Sequence, residues 1–241
     1  MKASLFGKRS DELTPLLEPL GFNLTDSNPE VIITYGGDGT LLSAESRYPQ
    51  IPKLAIRDNS ICVKCTPHKD VELFRKLKDG HLKLTEFAKL EASFEQTTLT
   101  AVNDFVIRNQ LPIHAIRFLI SKNGEQVTDK LIIGDGAVVA TEFGASGYYK
   151  SITHQTFSNG FYGVALNNTT EKLKPILFKQ KDLVKIKLLR GPATLSFDNN
   201  PDIYTLENNT EVSFKSSDKI MRLFQSDTLR CPNCRVNRMN Y

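Results

Sequence analysis

The chain has 241 residues, 40% of them hydrophobic and 24% charged, which is typical of a globular protein with one large or two small domains. Its 31 basic and 27 acidic residues give a net charge of +4 without a long basic block, so nucleic-acid binding is not indicated. No apolar run approaches the ~20 residues that a membrane helix needs, and the N-terminus MKASLFGKRSDE is too polar for a signal peptide, so we expect a cytoplasmic protein that binds no membrane.

The first 85 residues alternate between apolar, strand-like segments and helix-like segments. This alternation is typical of a parallel sheet covered by helices. We therefore predict an N-terminal α/β domain of Rossmann-like architecture over residues 1–85. Its strand candidates are 2–6, 31–35 and 53–56, and its helix candidates are 11–20, 40–47 and 71–77.

Short strand candidates dominate the chain after residue 85. Asn123-Gly124 is a typical hairpin turn between strands. The pattern predicts a C-terminal β-rich domain, a β-sandwich, over residues 86–225. Its strand candidates are 91–94, 98–101, 115–121, 138–141, 184–189, 194–197, 211–214 and 220–224.

Residues 29–42, PEVIITYGGDGTLL, combine a buried strand, a glycine turn and the start of a helix. Gly36, Gly37 and Gly39 allow backbone N–H groups to approach a polyphosphate, and the helix after Thr40 adds its positive N-terminal end. This arrangement predicts a phosphate-binding loop.

Asp38 is an acid inside a loop that otherwise suits anions. A carboxylate there could accept a proton from a nucleophile or help to hold a metal ion. The alternative is an ordinary Asp-Gly turn between strand and helix, although three glycines around one acid exceed what a turn requires.

The glycine loop resembles the signature of the NAD kinase family, and three further segments follow in that family's order. Val102-Asn103-Asp104 resembles an Asn-Glu or Asn-Asp pair. Residues 134–148, GDGAVVATEFGASGY, resemble a longer signature that usually reads DG, four residues and TPTGSTAY. Residues 195–200, LSFDNN, resemble a strand that ends in Asp-Gly-Gln. Together the four motifs cover most of residues 29–225.

The resemblance implies a kinase that phosphorylates the adenosine 2′-hydroxyl of NAD to give NADP, with ATP or polyphosphate as donor. Mg²⁺ would bridge the donor phosphates, because no all-protein magnesium cage is evident. The resemblance also implies a homo-oligomer, either a dimer or a tetramer, and a tail of residues 226–241 that returns to the first domain. The nucleotide cleft is expected between the two domains, where glycine phosphate loops end parallel strands.

The candidate catalytic base is Asp38, because a ribose hydroxyl is a poor nucleophile at neutral pH. Asn103 and Asp104 offer an amide and a carboxylate that suit an adenine edge and ribose hydroxyls, the alternative being an Asx turn before Phe105. The other candidate nucleotide-binding residues are Gly36, Gly37, Gly39, Thr40, Asp135, Gly136, Thr141, Gly144, Ser146, Gly147, Tyr148 and Asn200.

The chain departs from the family pattern at several of these positions. Glu142 replaces a proline, and its carboxylate would repel a pyrophosphate unless it points away, pairs with a base such as Lys150 or touches the metal. Ser43 stands where many relatives have a basic residue, and Phe143 stands where they have a hydroxyl residue. These departures indicate altered donor preference or a weakened enzyme.

All four cysteines fall into two C-x-x-C pairs, Cys62 with Cys65 and Cys231 with Cys234. Two such pairs complete a tetrahedral zinc site, so we predict one structural Zn²⁺. Redox-active or simply free cysteines are the alternatives.

Two other functions are compatible with these motifs. Diacylglycerol kinase relatives also carry GGDGT, so a lipid kinase is one alternative. The other is a non-catalytic nucleotide-binding sensor with a zinc-stapled tail, which the altered 141–148 segment favours. Activity on a lipid alcohol instead of NAD, or NAD binding without turnover, would favour the first or the second of these.

Overall fold

The computed structural model describes residues 1–58, 70–128, 130–158 and 160–226. Its helices are α1 (Thr14–Leu17), α2 (Asp38–Arg47), α3 (Asp70–Lys78) and α4 (Tyr148–Thr153). Its strands are β1 (Lys2–Phe6), β2 (Asn23–Leu24), β3 (Val31–Tyr35), β4 (Lys53–Ile56), β5 (Leu84–Phe94), β6 (Thr97–Ala101), β7 (Asp104–Asn109), β8 (Ile116–Lys122), β9 (Glu125–Gln126), β10 (Ile132–Gly134), β11 (Gly136–Ala140), β12 (Phe161–Asn167), β13 (Ile176–Lys179), β14 (Val184–Arg190), β15 (Ala193–Phe197), β16 (Tyr204–Leu206) and β17 (Glu211–Phe224).

The chain divides into two compact units. Of the described residues, those from 1 to 86 and from 221 to 226 form unit 1, and those from 87 to 220 form unit 2. Unit 1 is an α/β structure and unit 2 is mostly β. This confirms the predicted fold class. In the described ranges, no helix is long and apolar enough to cross a membrane.

The centre of unit 1 is a parallel sheet with the strand order β2-β1-β3-β4. All five residues of β3 are buried, as its run of β-branched side chains predicts. The last part of β17 lies beside β4 in parallel, with Leu223 opposite Lys53. Because β1, β3 and β4 run in the same direction, the loops that follow them meet at one edge of the sheet. The helices cover a core that includes Leu13, Leu17, Val31, Ile33, Leu54, Ile56, Phe74 and Leu77.

The helix predicted over residues 11–20 is interrupted in the structure. A 3₁₀ turn over Ser10–Leu13 leads into α1, and a second 3₁₀ turn follows over Glu18–Leu20. Pro15 and Pro19 explain the interruption, because proline lacks the N–H that a helix interior needs and is tolerated only in a first turn. Each proline stands in the first turn of its own helical segment.

Unit 2 is a β-sandwich of two mainly antiparallel sheets. One sheet has the order β10-β8-β14-β17, with the β5–β6 hairpin attached through β5. The other has the order β13-β12-β11-β7-β15-β16. Side chains from both sheets share one core, as expected for packed sheets with alternating faces. The core includes Phe105, Ile107, Phe118, Ile120, Val139, Val164, Val184, Ile186, Leu195 and Phe214.

Two sequence predictions about unit 2 differ in outcome. Asn123-Gly124 forms the predicted hairpin turn, since Lys122 pairs with Glu125 across it. The two strand candidates at 211–214 and 220–224 belong to one long strand, β17. The residues between the two candidates are mostly polar, so the apolar alternation that indicates a strand is interrupted there. Strand residues that face solvent need not be apolar, and the strand continues through them.

Candidate functional site

The glycine loop of unit 1 lies at the carboxyl end of β3. Gly36 follows the last strand residue, and its N–H donates to the carbonyl of Ile56 at the end of β4, at 2.9 Å. Gly37 caps the helix, and α2 begins at Asp38. The loop therefore passes from a central parallel strand directly to a helix N-terminus, a geometry that suits an anion.

Asp38 is the first residue of α2, two positions earlier than the predicted helix start. One of its carboxylate oxygens, Oδ1, is buried. A negative charge in the first turn of a helix is stabilised by the aligned peptide dipoles. The carboxylate is thus held at the same helix end that would receive a phosphate.

The loop after β1 reaches the same edge of the sheet. A Cβ atom on Gly7 would lie only 2.3 Å from the carbonyl oxygen of Tyr35, the last residue of β3. Two residues later, Arg9 places its Nη1 at 3.3 Å from Oδ1 of Asp58, which follows β4. Arg9 and Asp58 were not among the predicted site residues, because no local motif marks them.

In unit 2, the turn between β6 and β7 carries Asn103 and Asp104. The carboxylate of Asp198 accepts the backbone N–H groups of Val102 at 2.8 Å, Asn103 at 2.6 Å and Asp104 at 3.4 Å. In return, the N–H of Asp198 donates to the carbonyl of Asp104 at 3.1 Å. Hydrogen bonds to an ionised carboxylate are among the stronger ones, so Asp198 holds this turn in one conformation.

The side chain of Asp104 is 7% exposed and lies beside the carboxylate of Asp198. Burial, and then the negative charge of Asp198, raise the pKa of Asp104 to about 7. Burial also raises the pKa of Asp198, an effect opposed by its three backbone hydrogen bonds and by the charge of Lys89. Strongly perturbed carboxyl groups of this kind are typical of functional sites.

Asn103 presents a polar atom that the folded unit does not use. Its side-chain Oδ1 is buried, and no donor in the described part of the chain reaches it. A buried amide oxygen without a partner costs about 1–3 kcal/mol, so its retention calls for an explanation such as a ligand donor. The amino group of an adenine or a ribose hydroxyl would supply that donor.

The start of the 141–148 segment packs directly on the Asn103 turn. The hydroxyl of Thr141 donates to the carbonyl of Val102 and accepts the N–H of Gly144 at 3.0 Å. The N–H of Thr141 donates to the carbonyl of Asn103 at 2.8 Å. A Cβ atom on Gly144 would lie 2.0 Å from that same carbonyl oxygen, so only glycine permits this approach. Thr141 and Gly144 therefore build the site that Asn103 and Asp104 occupy.

The end of the segment is more exposed. Ser146 closes a 3₁₀ turn, and the exposed Gly147 precedes α4. Tyr148, the first residue of α4, is half-buried and packs against an apolar cluster that contains Val138 and Tyr149. Its ring therefore helps to anchor α4 on this cluster, while part of the ring surface stays accessible.

The carboxylate of Glu142 is held by a backbone N–H group and not by a cation. Its Oε2 accepts the backbone N–H of Gly160 at 3.1 Å. The carboxylate is therefore engaged with the chain that leads into β12. Of the three ways in which Glu142 was expected to avoid repelling a pyrophosphate, this contact corresponds to pointing away toward its own unit.

Asp135 and Gly136 lie at the opposite end of β11 from Thr141. Gly136 pairs with Arg108 and Ala140 pairs with Asp104, so the length of the strand, roughly 13 Å, separates the two pairs. The carboxylate of Asp135 accepts the side-chain amide of Asn168 at 2.9 Å. The structure thus does not bring Asp135 and Gly136 to the Asn103 turn within one chain.

Asn200, the remaining predicted residue, lies two positions after Asp198. Its side-chain oxygen accepts the N–H of Asp202 at 2.8 Å, which closes a local turn. The other predicted residues of unit 1, Gly39 and Thr40, lie in the first turn of α2.

The chief residue that sequence reasoning missed in unit 2 is Asp198 as the organiser of the turn. It lies 95 positions from Asn103, and only the pairing of β15 with β7 brings the two together. Asp198 lies in the LSFDNN motif, but the motif does not reveal which backbone N–H groups its carboxylate binds.

The predicted zinc site lies outside the described residues, because Cys62, Cys65, Cys231 and Cys234 all fall in the ranges 59–69 and 227–241. The tail predicted to return to the first domain falls mostly in the second of these ranges. Among the described residues there is no group of three or more His, Cys, Asp or Glu side chains that could hold a metal ion.

Comparisons with curated proteins find NAD kinases. The chain is 26% identical over 200 residues to the NAD kinase of Sulfurisphaera tokodaii, covering 78% of each chain. It is 25% identical over 244 residues to that of Saccharolobus islandicus, covering 95% of this chain and 96% of the relative. For the NAD kinase of Methanothermobacter thermautotrophicus the identity is 23% over 220 residues, with 88% and 77% covered. No family model matches the chain.

Comparisons with solved structures find the same fold. Yeast NADH kinase complexed with NADH aligns with a TM-score of 0.79 at 14% identity, covering 94% of this chain and 83% of that one. An NAD kinase from Archaeoglobus fulgidus in complex with ATP aligns with a TM-score of 0.79 at 17% identity, covering 98% and 99%. The chain is thus similar in sequence to NAD kinases over almost its full length, and it shares their fold.

Proposed function

We propose that this protein is an NAD kinase, which transfers a phosphoryl group from ATP or polyphosphate to the adenosine 2′-hydroxyl of NAD and releases NADP. The observation that carries the proposal is the turn at Asn103 and Asp104. It combines a buried amide oxygen that lacks a donor in the described part of the chain with a buried carboxyl group beside it. The NAD kinases and the NADH-bound kinase to which the chain is similar support NAD as the acceptor.

The Asn103 turn would hold the acceptor. The amide oxygen of Asn103 accepts one donor from the nucleoside, and the carboxyl group of Asp104 binds ribose hydroxyls. Thr141 keeps the turn in place through its hydroxyl group, and Gly144 does so through the close approach of its backbone. Ser146, Gly147 and Tyr148 provide a hydroxyl, an exposed backbone and an aromatic face for the rest of the dinucleotide. A turn that is rigid before the ligand arrives loses little entropy on binding.

The glycine loop would hold the donor, and Asp38 would take the proton of the acceptor hydroxyl. The N–H groups at the start of α2, from Gly37 to Gly39, are oriented by the helix and would face the phosphates without a reorganisation cost. The carboxylate of Asp38 is stabilised at the same helix end and serves as the general base.

Mg²⁺ fits the side chains near the glycine loop. This ion keeps several waters and usually takes one or two carboxylates together with substrate phosphates. Asp38 offers one carboxylate at the start of α2. When bound, the ion would offset the charge that develops on the transferred phosphoryl group.

Several further properties belong to the same proposal. We infer a homo-oligomer, a dimer or a tetramer, in the cytoplasm. Asp135 and Gly136 lie away from the Asn103 turn of their own chain. This is compatible with their contributing to the nucleotide site of a second copy of the chain. A structural Zn²⁺ on the four cysteines would fasten the tail.

The proposal is tested by measuring NADP formation with purified protein and Mg²⁺. ATP and polyphosphate are compared as donors, and NAD, NADH and a long-chain diacylglycerol are compared as acceptors. We expect NADP from NAD with at least one donor and no phosphorylated lipid. Lipid phosphorylation would favour a lipid kinase, and NAD binding without turnover at saturating donor would favour a sensor. Either result would overturn the proposal.

A further inference from the structure

The donor site of unit 1 has an unusual balance of charge. The glycine loop contributes backbone dipoles, and its one ionisable side chain, Asp38, is negative. Arg57 and Asp58 follow β4 at the same edge of the sheet and add one charge of each sign, and Ser43 on α2 offers no charge. A triphosphate brings several negative charges, so a further cationic side chain at this edge would strengthen its binding beyond what Mg²⁺ supplies.

The loop after β1 supplies such a cation. Phe6, the last residue of β1, pairs with Thr34 in β3, and Tyr35 pairs with Ile56 in β4. The three strands are parallel, so the loop at Gly7 to Arg9, the glycine loop and the segment at Asp58 leave the sheet at one edge. The approach of Gly7 to the carbonyl of Tyr35 places the first two of these loops in contact.

Arg9 is fixed in place by two carboxylates. Its Nε donates to Oε1 of Glu12 at 2.7 Å, and its Nη1 lies 3.3 Å from Oδ1 and 3.5 Å from Oδ2 of Asp58. The hydrogen bond to Glu12, then the charge of Asp58, raise the pKa of Arg9, and Tyr35 adds to the effect. These contacts hold the edge of the guanidinium that carries Nε and Nη1.

The other side of the guanidinium is accessible. The side chain of Arg9 remains 47% exposed, whereas that of Asp58 is only 7% exposed. In the described part of the chain, Nη2 takes part in neither ion pair. A planar guanidinium held along one edge presents its other N–H groups in a fixed direction, and that geometry matches phosphate oxygens better than an ammonium does.

We propose that Arg9 binds the phosphates of the phosphoryl donor, presented by Asp58 and Glu12 at the edge where α2 begins. The inference rests on the proposed function for the identity of the donor. Arg9 would supply the positive charge that neither the glycine loop nor Ser43 provides. It would act on the donor and not on NAD.

The test measures binding of inorganic triphosphate by titration calorimetry at low salt, together with KM for ATP and for NAD. Arg9→Met keeps the aliphatic part of the side chain and removes the charge. Arg9→Lys keeps the charge but removes the planar guanidinium with its paired N–H donors. The matched control is Lys76→Met on α3, which removes an equally exposed basic residue of unit 1 that pairs with Glu72. Melting temperatures check that each variant folds.

We expect Arg9→Met to weaken triphosphate binding about 10-fold, and to raise KM for ATP while leaving KM for NAD within about twofold. Arg9→Lys should fall between wild type and Arg9→Met, and Lys76→Met should match wild type. Unchanged triphosphate affinity in Arg9→Met, an equal loss in Lys76→Met, or a wild type that binds no triphosphate would each overturn the inference.

The two proposals fail in different ways. A wild type that forms no NADP but binds triphosphate through Arg9 contradicts the kinase function and supports the phosphate site. A wild type that forms NADP, with ATP kinetics and triphosphate affinity that Arg9→Met leaves unchanged, contradicts the phosphate site alone.

Discussion

The carboxylate of Asp198 accepts the backbone N–H of Asn103 at 2.6 Å, and this bond joins two residues that lie 95 positions apart in the chain. The same carboxylate accepts the N–H groups of Val102 and Asp104. One acid at the end of β15 therefore fixes the conformation of the turn that would bind NAD.

Replacing Asp198 should loosen that turn. Asp198→Asn keeps one acceptor oxygen but loses the charge that strengthens three hydrogen bonds, so we expect the free energy of unfolding to fall by about 1–3 kcal/mol. KM for NAD should rise roughly 10-fold, with a smaller change in KM for ATP. Urea unfolding and steady-state kinetics measure these effects.

Asp202→Asn is the matched control, because Asp202 is an exposed acid in the same loop. It should change stability by no more than about 0.5 kcal/mol. Equal effects of the two substitutions would show that Asp198 has no special role in the turn.

The buried Asp104 should make stability depend on pH. Its pKa is about 7 in the folded protein, against 3.8 for the ordinary group. Between about pH 4 and 7 the folded protein keeps a proton that the unfolded chain has released. The free energy of unfolding therefore falls as pH rises through that window and levels off above it.

Asp104→Asn removes the ionisable group, so it should also remove the loss of stability that ionisation of Asp104 causes as the pH rises. The stability of the variant relative to wild type should increase with pH, by up to about 4 kcal/mol between pH 4 and pH 8. Urea unfolding of both proteins at four pH values measures the difference. A difference that is the same at every pH would contradict the raised pKa.

Glu142 offers a test of what its carboxylate does. Because it accepts the N–H of Gly160, Glu142→Ala should release that segment and raise KM for NAD by about 3-fold, whereas Glu142→Gln should keep the contact and remain close to wild type. If the carboxylate instead repelled the dinucleotide, both substitutions would lower KM for NAD. The kinetics of the pair thus separate the two roles.

The cysteine pairs predict a metal content. Protein purified without chelator should contain about one zinc per chain, and replacing Cys231 and Cys234 with serine should abolish it. Plasma emission spectroscopy measures the content. A wild type without zinc, or a serine variant that retains it, would contradict a site shared by the two pairs.

Local patterns in the sequence predicted much of unit 1. The bounds predicted for β1, β3 and β4 agree with the structure, because each strand is a compact apolar run. Residues 11–20 are helical as predicted, but they form three short segments in place of one continuous α-helix, because two prolines interrupt it.

Contacts between distant segments were less predictable. Hydrophobic patterns indicated many strands in unit 2, but not the order in which they pair, because pairing depends on contacts across the whole unit. The roles of Asp198 and Arg9 depend on such pairing. Both residues act on segments about 50–100 positions away, a range in which local spacing carries no signal.

If Asp38 is the general base, its replacement should affect turnover much more than NAD binding. Asp38→Asn keeps the size of the side chain and removes the basic carboxylate, so turnover should fall by roughly 100-fold or more. NAD affinity should change little, because Asn103, Asp104 and the 141–148 segment would still hold the dinucleotide. Asp104→Ala should do the reverse and raise KM for NAD more than it lowers kcat.

The most direct test of the account is NADP formation by wild type and by Asp38→Asn at saturating ATP, NAD and Mg²⁺, with Asp79→Asn as an exposed-acid control. We expect NADP from wild type and from the control, and a rate reduced about 100-fold or more in Asp38→Asn with unchanged NAD affinity. An Asp38→Asn protein that works at full rate, or a wild type that forms no NADP, would contradict it.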